Sequence, residues 1–178
     1  LAEAQDGWHR FGRVLPVSVG LSTHGEWVEL NDGSRIWRLQ ITAPDAEALS
    51  LLYDNFHMPE GGKFYLYTPG QEQVLGAYTI FNNNPNGEFS NELTQGETVI
   101  LEYYEPANAI GEGRIHIRGV NYVYRDANVG PPTPFRDFGD SDGCQVNVNC
   151  SPEGNSWQDE KRAVARIIIF AGFSSGLC

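Results

Sequence analysis

The chain has 178 residues, of which 40% are hydrophobic and 20% are charged, and its formal net charge is −11. This composition supplies enough apolar side chains for a core, so wholesale disorder is not expected. Binding to a phosphate backbone requires clustered Lys and Arg, so the acidic charge argues against nucleic acid as a partner. No apolar run reaches the roughly 18 residues that cross a bilayer, and no membrane span is expected.

Seven segments among the first 124 residues have the composition and alternation of β-strands. Residues 34–41 alternate apolar and polar side chains, as a strand with one buried face does. The other predicted strands are residues 13–21, 25–30, 63–67, 74–81, 98–104 and 114–124. Turn-forming residues separate them at 31–33, 69–70 and 82–87. Short strands at this spacing predict a β-sandwich.

One segment, residues 44–56, departs from the strand pattern. Thr42 and Pro44 suit the start of a helix. Four apolar residues then follow at positions i, i+3, i+4 and i+7, which is the spacing of one helix face: Leu49, Leu52, Tyr53 and Phe56. The segment is predicted to be one short amphipathic helix that closes an end of the sandwich.

The composition changes after the last predicted strand. A turn-like stretch at residues 128–130 precedes Pro131, Pro132 and Pro134, which cannot donate ladder hydrogen bonds. Residues 127–140 are therefore predicted to be a Pro-rich acidic linker. All the cysteines lie beyond it, at Cys144, Cys150 and Cys178. The chain is thus predicted to consist of two unlike parts.

The cysteines indicate disulfide chemistry. Their spacings match no common zinc pattern, and no His follows His116, so neither a metal site nor another cofactor is predicted. An odd number cannot pair completely within one chain, so in an oxidising compartment at least one thiol is free or pairs outside it. A secreted protein, of which this chain is a fragment, is the favoured interpretation.

Other candidate chemistry is better explained as structure. The histidines are scattered over different predicted elements, without an evident partner: His9, His24, His57 and His116. Asp137, Asp140 and Asp142 offer oxygen ligands for calcium, but their loop lacks the spaced ligands and terminal Glu of an EF-hand. A solvated acidic linker is favoured there.

Aromatic residues on the predicted strands have two interpretations. They could form a stacking platform for sugars, but aromatics on alternating strand positions more often fill a sandwich core. The core interpretation is favoured. The residues concerned are Trp27, Trp37, Tyr65, Tyr67, Tyr78, Tyr103, Tyr104, Tyr122 and Tyr124.

The C-terminal part carries a resemblance to a known family. Residues 141–154 read SDGCQVNVNCSPEG, residues 158–165 read QDEKRAVA, and an apolar stretch ends in Ser-Gly-Leu-Cys at residues 175–178. In this order they resemble the mature N-terminus of secreted bacterial trypsin-like serine endopeptidases of the lysyl endopeptidase type. The resemblance implies that residues 141–178 are the first strand region of a chymotrypsin-like β-barrel.

Residues 1–126 resemble, more loosely, the region that precedes such peptidases in their precursors. The similar segments are residues 36–41, 46–56, 63–67, 76–79, 96–106 and 120–125. The resemblance implies a prodomain that is removed on maturation and that assists folding or keeps the peptidase latent. The expected fold is mostly β, with a jelly-roll-like sandwich and one short helix at residues 1–126, the linker at residues 127–140 and the peptidase fragment at residues 141–178.

The same resemblance places the catalytic His, Asp and Ser beyond this chain. No catalytic residue is assigned within it, and the chain alone is expected to be inactive although the full-length protein would be an endopeptidase. Cys178 is implied to pair with a cysteine outside the chain. Cys144 and Cys150 could bridge locally in a fragment, although in the family they reach distant parts of the peptidase domain. The implied partners are the rest of that domain and the protein or peptide substrates of the full-length enzyme.

A processing bond is predicted from the basic residues. Arg136 is the only Lys or Arg between Arg125 and Lys161. If the mature enzyme cuts after basic residues, the exposed linker offers Arg136–Asp137 as the bond for self-processing.

The sequence permits two other functions. The main alternative is a non-catalytic β-sandwich binding module, for example for glycans, with an unrelated cysteine-bearing tail. An enzyme complete within 178 residues is the weakest interpretation, because no nucleophile and base can be paired from the sequence.

Overall fold

The computed structural model describes residues 10–125, 151–163, 168–171 and 174–177. Within these ranges the strands are β1 (Arg10–Gly20), β2 (Glu26–Glu29), β3 (Arg35–Thr42), β4 (Ala48–His57), β5 (Lys63–Tyr67), β6 (Val74–Tyr78), β7 (Phe89–Ser90), β8 (Thr94–Gln95), β9 (Thr98–Glu105), β10 (Arg114–Val123), β11 (Ile168–Ala171) and β12 (Ser174–Leu177). Helix α1 spans Gln158–Ala163, and 3-10 turns lie at Ile80–Asn82, Ala107–Ala109 and Glu153–Trp157. No helix in the described ranges is long and apolar enough to cross a membrane.

The strands form two antiparallel sheets. Sheet 1 has the order β11-β12-β1-β10-β4-β7, with β8 also paired to β4, and sheet 2 has the order β2-β3-β9-β5-β6. The central part of both sheets has the strand order of a jelly roll. In sheet 1 this part is β1, β10, β4 and β7/β8, and in sheet 2 it is β3, β9, β5 and β6. The prediction of a mostly β, sandwich-like fold is confirmed.

Residues from both sheets form the main core, and a smaller second cluster contains Phe11, Ala48 and Val123. Strand β9 shows the alternation clearly, because every second residue from Val99 to Glu105 is buried. Opposite it, β4 contributes Leu49, Leu51 and Tyr53. The aromatic rings interlock, and Phe56 stacks on Phe89 with centroids 4.2 Å apart. This burial of large apolar side chains on two facing sheets is what holds the sandwich together.

The predicted helix at residues 44–56 is wrong, because that segment contains strand β4. Six consecutive residues of β4 are buried, and a strand buried on both faces lacks the simple alternation of a half-exposed one. A β-bulge explains the helix-like spacing. Tyr53 pairs with Ile117 but Asn55 pairs with His116, so Asp54 is an extra residue. The bulge turns Phe56, three residues after Tyr53, back toward the core.

The seven predicted strands are present as β1, β2, β3, β5, β6, β9 and β10, with small shifts at their ends. The short strands β7 and β8 were not predicted, because two residues show no periodicity. The described α-helix is α1, which lies among residues 141–178 and not at residues 44–56.

The C-terminal strands continue sheet 1. Strand β12 pairs antiparallel with β1, with Gly12 opposite Ser175 and Arg13 opposite Ser174, and β11 pairs with β12. In the described part of the chain the sheets are open and do not close into a barrel. The linker at residues 127–140 lies outside the described residues. The division into sandwich, linker and peptidase fragment stays a prediction.

Candidate functional site

The site residues singled out from the C-terminal sequence lie outside the described residues. They are the cysteines Cys144, Cys150 and Cys178, the processing pair Arg136 and Asp137, and the carboxylates Asp140 and Asp142. Their assigned roles stay predictions. Within the described ranges, no group of three His, Cys, Asp or Glu side chains is placed to hold a metal ion.

Apart from Tyr124, whose ring centroid lies 6.4 Å from that of Tyr122, the aromatic residues separate into two sets. Trp37 and Tyr103 are fully buried, and Trp27, Tyr78 and Tyr122 pack against the core. The core interpretation therefore holds for these side chains. Tyr65, Tyr67 and Tyr104 alternate with buried neighbours on β5 and β9, which places them on the outer face of sheet 2.

The outer face of sheet 2 combines these tyrosines with charged and apolar side chains. Cross-strand pairing sets Arg38 opposite Glu102 and Glu102 opposite Tyr65. We call this surface the tyrosine face and define it by the outward residues of three adjacent strands: Ile36, Arg38 and Gln40 of β3, Ile100, Glu102 and Tyr104 of β9, and Lys63, Tyr65 and Tyr67 of β5.

A hydrogen-bonded network fixes the centre of the tyrosine face. The Nε of Arg38 donates to Oε2 of Glu102 at 2.7 Å, and the hydroxyl of Tyr67 donates to the same oxygen at 3.1 Å. Partial burial, followed by the negative charge of Glu102, raises the pKa of Tyr67. The phenol of Tyr67 is therefore neutral near pH 7 and can donate its hydrogen bond to Glu102.

A shallow groove of about 490 Å³ continues the tyrosine face toward β2. Gly25, Glu26, Arg38, Gln40 and Ile100 line it, together with Leu39. Arg38 and Ile100 belong to both the groove and the tyrosine face, so the two form one continuous surface.

The outer side of sheet 1 carries a second cluster of polar side chains. Ser18 Oγ lies 3.0 Å from His116 Nε2, and His116 Nδ1 lies 2.5 Å from Asp54 Oδ1. Because a carboxylate can only accept hydrogen bonds, Nδ1–H of His116 donates to Asp54. In the neutral ring, Nε2 then accepts a hydrogen bond from the Ser18 hydroxyl. Register shifts in β1 between Pro16 and Val19, and in β4 at Asp54, bring Ser18 and Asp54 beside His116.

The expectation that no nucleophile and base can be paired is thus wrong, since Ser18 and His116 are hydrogen-bonded. Ser18 is exposed, and the Asp54 side chain is 44% exposed. Hydrolytic sites of this type depend on excluded water and on donors aimed at the developing oxyanion. On this open face the three side chains are best interpreted as a cross-strand hydrogen-bond chain.

A cavity of about 460 Å³ lies next to Asp54, between the end of β4 and the loop at residues 83–87. Asn55, His57 and Arg114 line it, and Arg114 Nε donates to Asn55 Oδ1 at 3.2 Å. His57 therefore lies in a polar cavity, whereas the sequence suggested only a structural role for it.

No protein-family model matches the chain, and no solved structure matches it significantly.

Proposed function

We propose that residues 1–126 are the prodomain of a secreted trypsin-like serine endopeptidase and that residues 141–178 begin its peptidase domain. The sequence resemblance suggests this order. One structural observation supports it: strand β12 of the peptidase-like segment pairs with strand β1 of the sandwich.

The pairing has a clear physical consequence. An edge strand exposes unpaired N–H and C=O groups, and a second segment that adds to the edge satisfies them. Strand β1 is held on its other side by β10, over register positions from Gly12 to Gly20. It is a rigid template for β12, whereas an isolated two-stranded hairpin such as β11-β12 is marginally stable in water.

Two prodomain roles follow from this template. By ordering β11 and β12 early, the sandwich would lower the entropy cost of folding the peptidase domain. By holding the same strands on sheet 1, it would keep them out of the mature arrangement and so keep the enzyme latent. In either role the partner is the rest of the peptidase domain, which also supplies the Ser, His and Asp for acyl transfer.

The proposal is tested with the full-length precursor. Deletion of residues 1–126 should abolish or strongly reduce the yield of secreted active peptidase, and supplying those residues in trans should restore it. Normal yield from the deleted precursor would contradict the folding role. For latency, the isolated sandwich is added to mature enzyme, and unchanged activity at high micromolar concentration would count against inhibition.

Maturation and disulfide pairing test the remaining assignments. N-terminal sequencing of the mature peptidase should place the cut in the linker, with Arg136–Asp137 as the expected bond; a start upstream of Asp126 or downstream of Cys144 would contradict it.

Free-thiol counting under denaturing, non-reducing conditions should show that Cys178 has no partner in this chain. A Cys178 bond to Cys144 or Cys150 in the native secreted protein would contradict the resemblance.

A further inference from the structure

We propose that the tyrosine face binds a neutral polysaccharide chain. This binding function is independent of the prodomain role, because it uses the outer face of sheet 2, whereas the β1–β12 pairing lies in sheet 1. Four features of the surface support this binding function: the arrangement of the aromatic rings, the fixed polar network, the charge balance and the shape.

The aromatic rings are spaced over adjacent strands. Tyr65 and Tyr67 are two residues apart on β5, so about 7 Å separates their Cα atoms. Tyr104 pairs with Lys63, which makes it the diagonal neighbour of Tyr65 across the strands. The C–H-rich faces of pyranose rings pack against aromatic rings, and three tyrosines in this arrangement offer contacts to successive sugars.

The polar network supplies fixed hydrogen-bonding groups between the rings. Glu102 accepts from Arg38 and Tyr67 with one oxygen, and its other oxygen and the further N–H groups of Arg38 can serve sugar hydroxyls. Because these side chains already hold one another, binding costs little additional side-chain entropy. Such placement of a few polar groups among aromatic side chains is typical of ligand sites.

The charges favour a neutral ligand over an anionic one. Along the tyrosine face and its groove, Arg38 and Lys63 balance Glu26 and Glu102. The whole chain carries a net charge of −11. An anionic polysaccharide would therefore meet a repulsive field without a basic patch to offset it.

The shape of the surface favours an internal stretch of a chain. The face is an open sheet surface that continues past Ile100 into the groove beside Gly25 and Glu26. Among the residues that the structure describes, none closes an end of this surface so as to select a chain terminus. A linear polysaccharide can cross strands β5, β9 and β3 in succession.

Affinity electrophoresis of the 178-residue chain tests the proposal. Native gels contain hydroxyethylcellulose, mixed-linkage β-glucan or xylan, with polygalacturonate as the anionic comparison. At least one neutral polysaccharide should retard the chain, and the variant Tyr65→Ala/Tyr104→Ala should bind at least 10-fold more weakly. Tyr65→Phe, which keeps the ring, should retain binding.

The controls separate loss of binding from loss of fold. Tyr124→Ala removes a tyrosine outside the face and should leave retardation unchanged, and circular dichroism melting should show the double variant folded. If the double variant does not fold, the single variants Tyr65→Ala and Tyr104→Ala replace it. Absence of retardation by all three neutral polysaccharides, or equal retardation of the double variant and the parent, would overturn the proposal. So would stronger binding to polygalacturonate than to the neutral polymers.

The test also distinguishes a protein partner and the proposed prodomain role. If the double variant lowers the yield of active peptidase from the precursor and no neutral polysaccharide is bound, the face docks on the peptidase, and the glycan proposal is wrong. Failure of the prodomain deletion experiment leaves the electrophoresis result unaffected.

Discussion

Arg35 and Glu105 form an ion pair across strands β3 and β9, with 2.5 Å between Nε and Oε2. The Glu105 side chain is 1% exposed, and it also accepts from the hydroxyl of Tyr103 at 3.3 Å and from the N–H of Gly111 at 3.1 Å. The Arg35 guanidinium lies 3.9 Å from the ring centroid of Trp27. A cation and two further donors thus compensate the desolvation of this buried carboxylate.

Arg35→Ala should lower the free energy of unfolding by about 3 kcal/mol, because it leaves the Glu105 carboxylate buried without its cation. Urea unfolding followed by circular dichroism measures the loss. Arg38→Ala is the matched control on the same strand. The Arg38 side chain, which pairs with Glu102, is exposed to solvent, so loss of this ion pair should cost at most about 1 kcal/mol. Equal losses in the two variants would contradict this assignment.

Gly25→Ala should destabilise the sandwich. Gly25 has φ +78°, and an added Cβ would lie 2.5 Å from Nε1 of Trp37, which donates to the carbonyl of His24 at 2.8 Å. Gly96→Ala is the control, since Gly96 also has positive φ (+86°) but no atom within 4 Å of an added Cβ. Gly25→Ala should cost about 1–3 kcal/mol more than Gly96→Ala, because only the former overpacks the core. Similar melting temperatures for the two variants would rule out the clash.

The folded state should lose stability above about pH 10. Burial raises the pKa of Tyr53 well above its ordinary value, and burial followed by the charge of Glu105 raises the pKa of Tyr103. Since unfolded tyrosines ionise near pH 10, the unfolded state releases these protons first. The stabilisation is therefore complete below pH 10 and is lost as the pH rises further.

Absorbance at 295 nm, recorded together with circular dichroism, tests this pH dependence. Ionisation of the last tyrosines should coincide with unfolding, and Tyr103→Phe should make the alkaline loss of stability less steep. Complete tyrosine ionisation in a folded protein would show that the buried phenols are accessible, contrary to the structure.

The isolated chain should hydrolyse neither peptides nor esters, although Ser18, His116 and Asp54 are hydrogen-bonded. The exposed position of Ser18 provides no water-excluded site for an acyl intermediate. The turnover of p-nitrophenyl acetate should be the same for the parent and Ser18→Ala. Covalent labelling of Ser18 by a fluorophosphonate, absent in His116→Ala, would show that the serine is activated.

Ser175→Pro should release strand β12 from strand β1, because β12 is paired on both sides, by β1 and β11, and an interior strand does not accommodate proline. Ser175 pairs with Gly12, so amide hydrogen exchange at residues 10–13 should accelerate. Ser175→Ala keeps the backbone donor and should exchange like the parent. In the full-length precursor, Ser175→Pro should also reduce the yield of active peptidase, and a normal yield despite faster exchange would separate the pairing from the prodomain role.

The sequence by itself determined most of the sandwich. Strands β3, β5, β9 and β10 were predicted because one face of each is buried, and the two-residue period of a strand then appears directly in the order of apolar and polar residues. The turn residues at 31–33 and 82–87 correctly indicated where strands end, because turns at these positions need the positive φ that Gly33 and Gly87 adopt.

Only the tertiary structure determined that residues 48–57 form strand β4 and which side chains meet at the candidate sites. The bulge at Asp54 placed Tyr53 and Phe56 three residues apart on the core side, which imitates a helix in sequence. Ser18 and His116 are 98 residues apart, and the local periodicity of the sequence cannot predict that two such distant residues are hydrogen-bonded. The alternation in β5 assigns Phe64 and Tyr65 to opposite faces, but which aromatic residue is buried depends on the sheet that packs against it. Strand pairing and packing across the core make these choices, because they bring together residues that are distant in the chain.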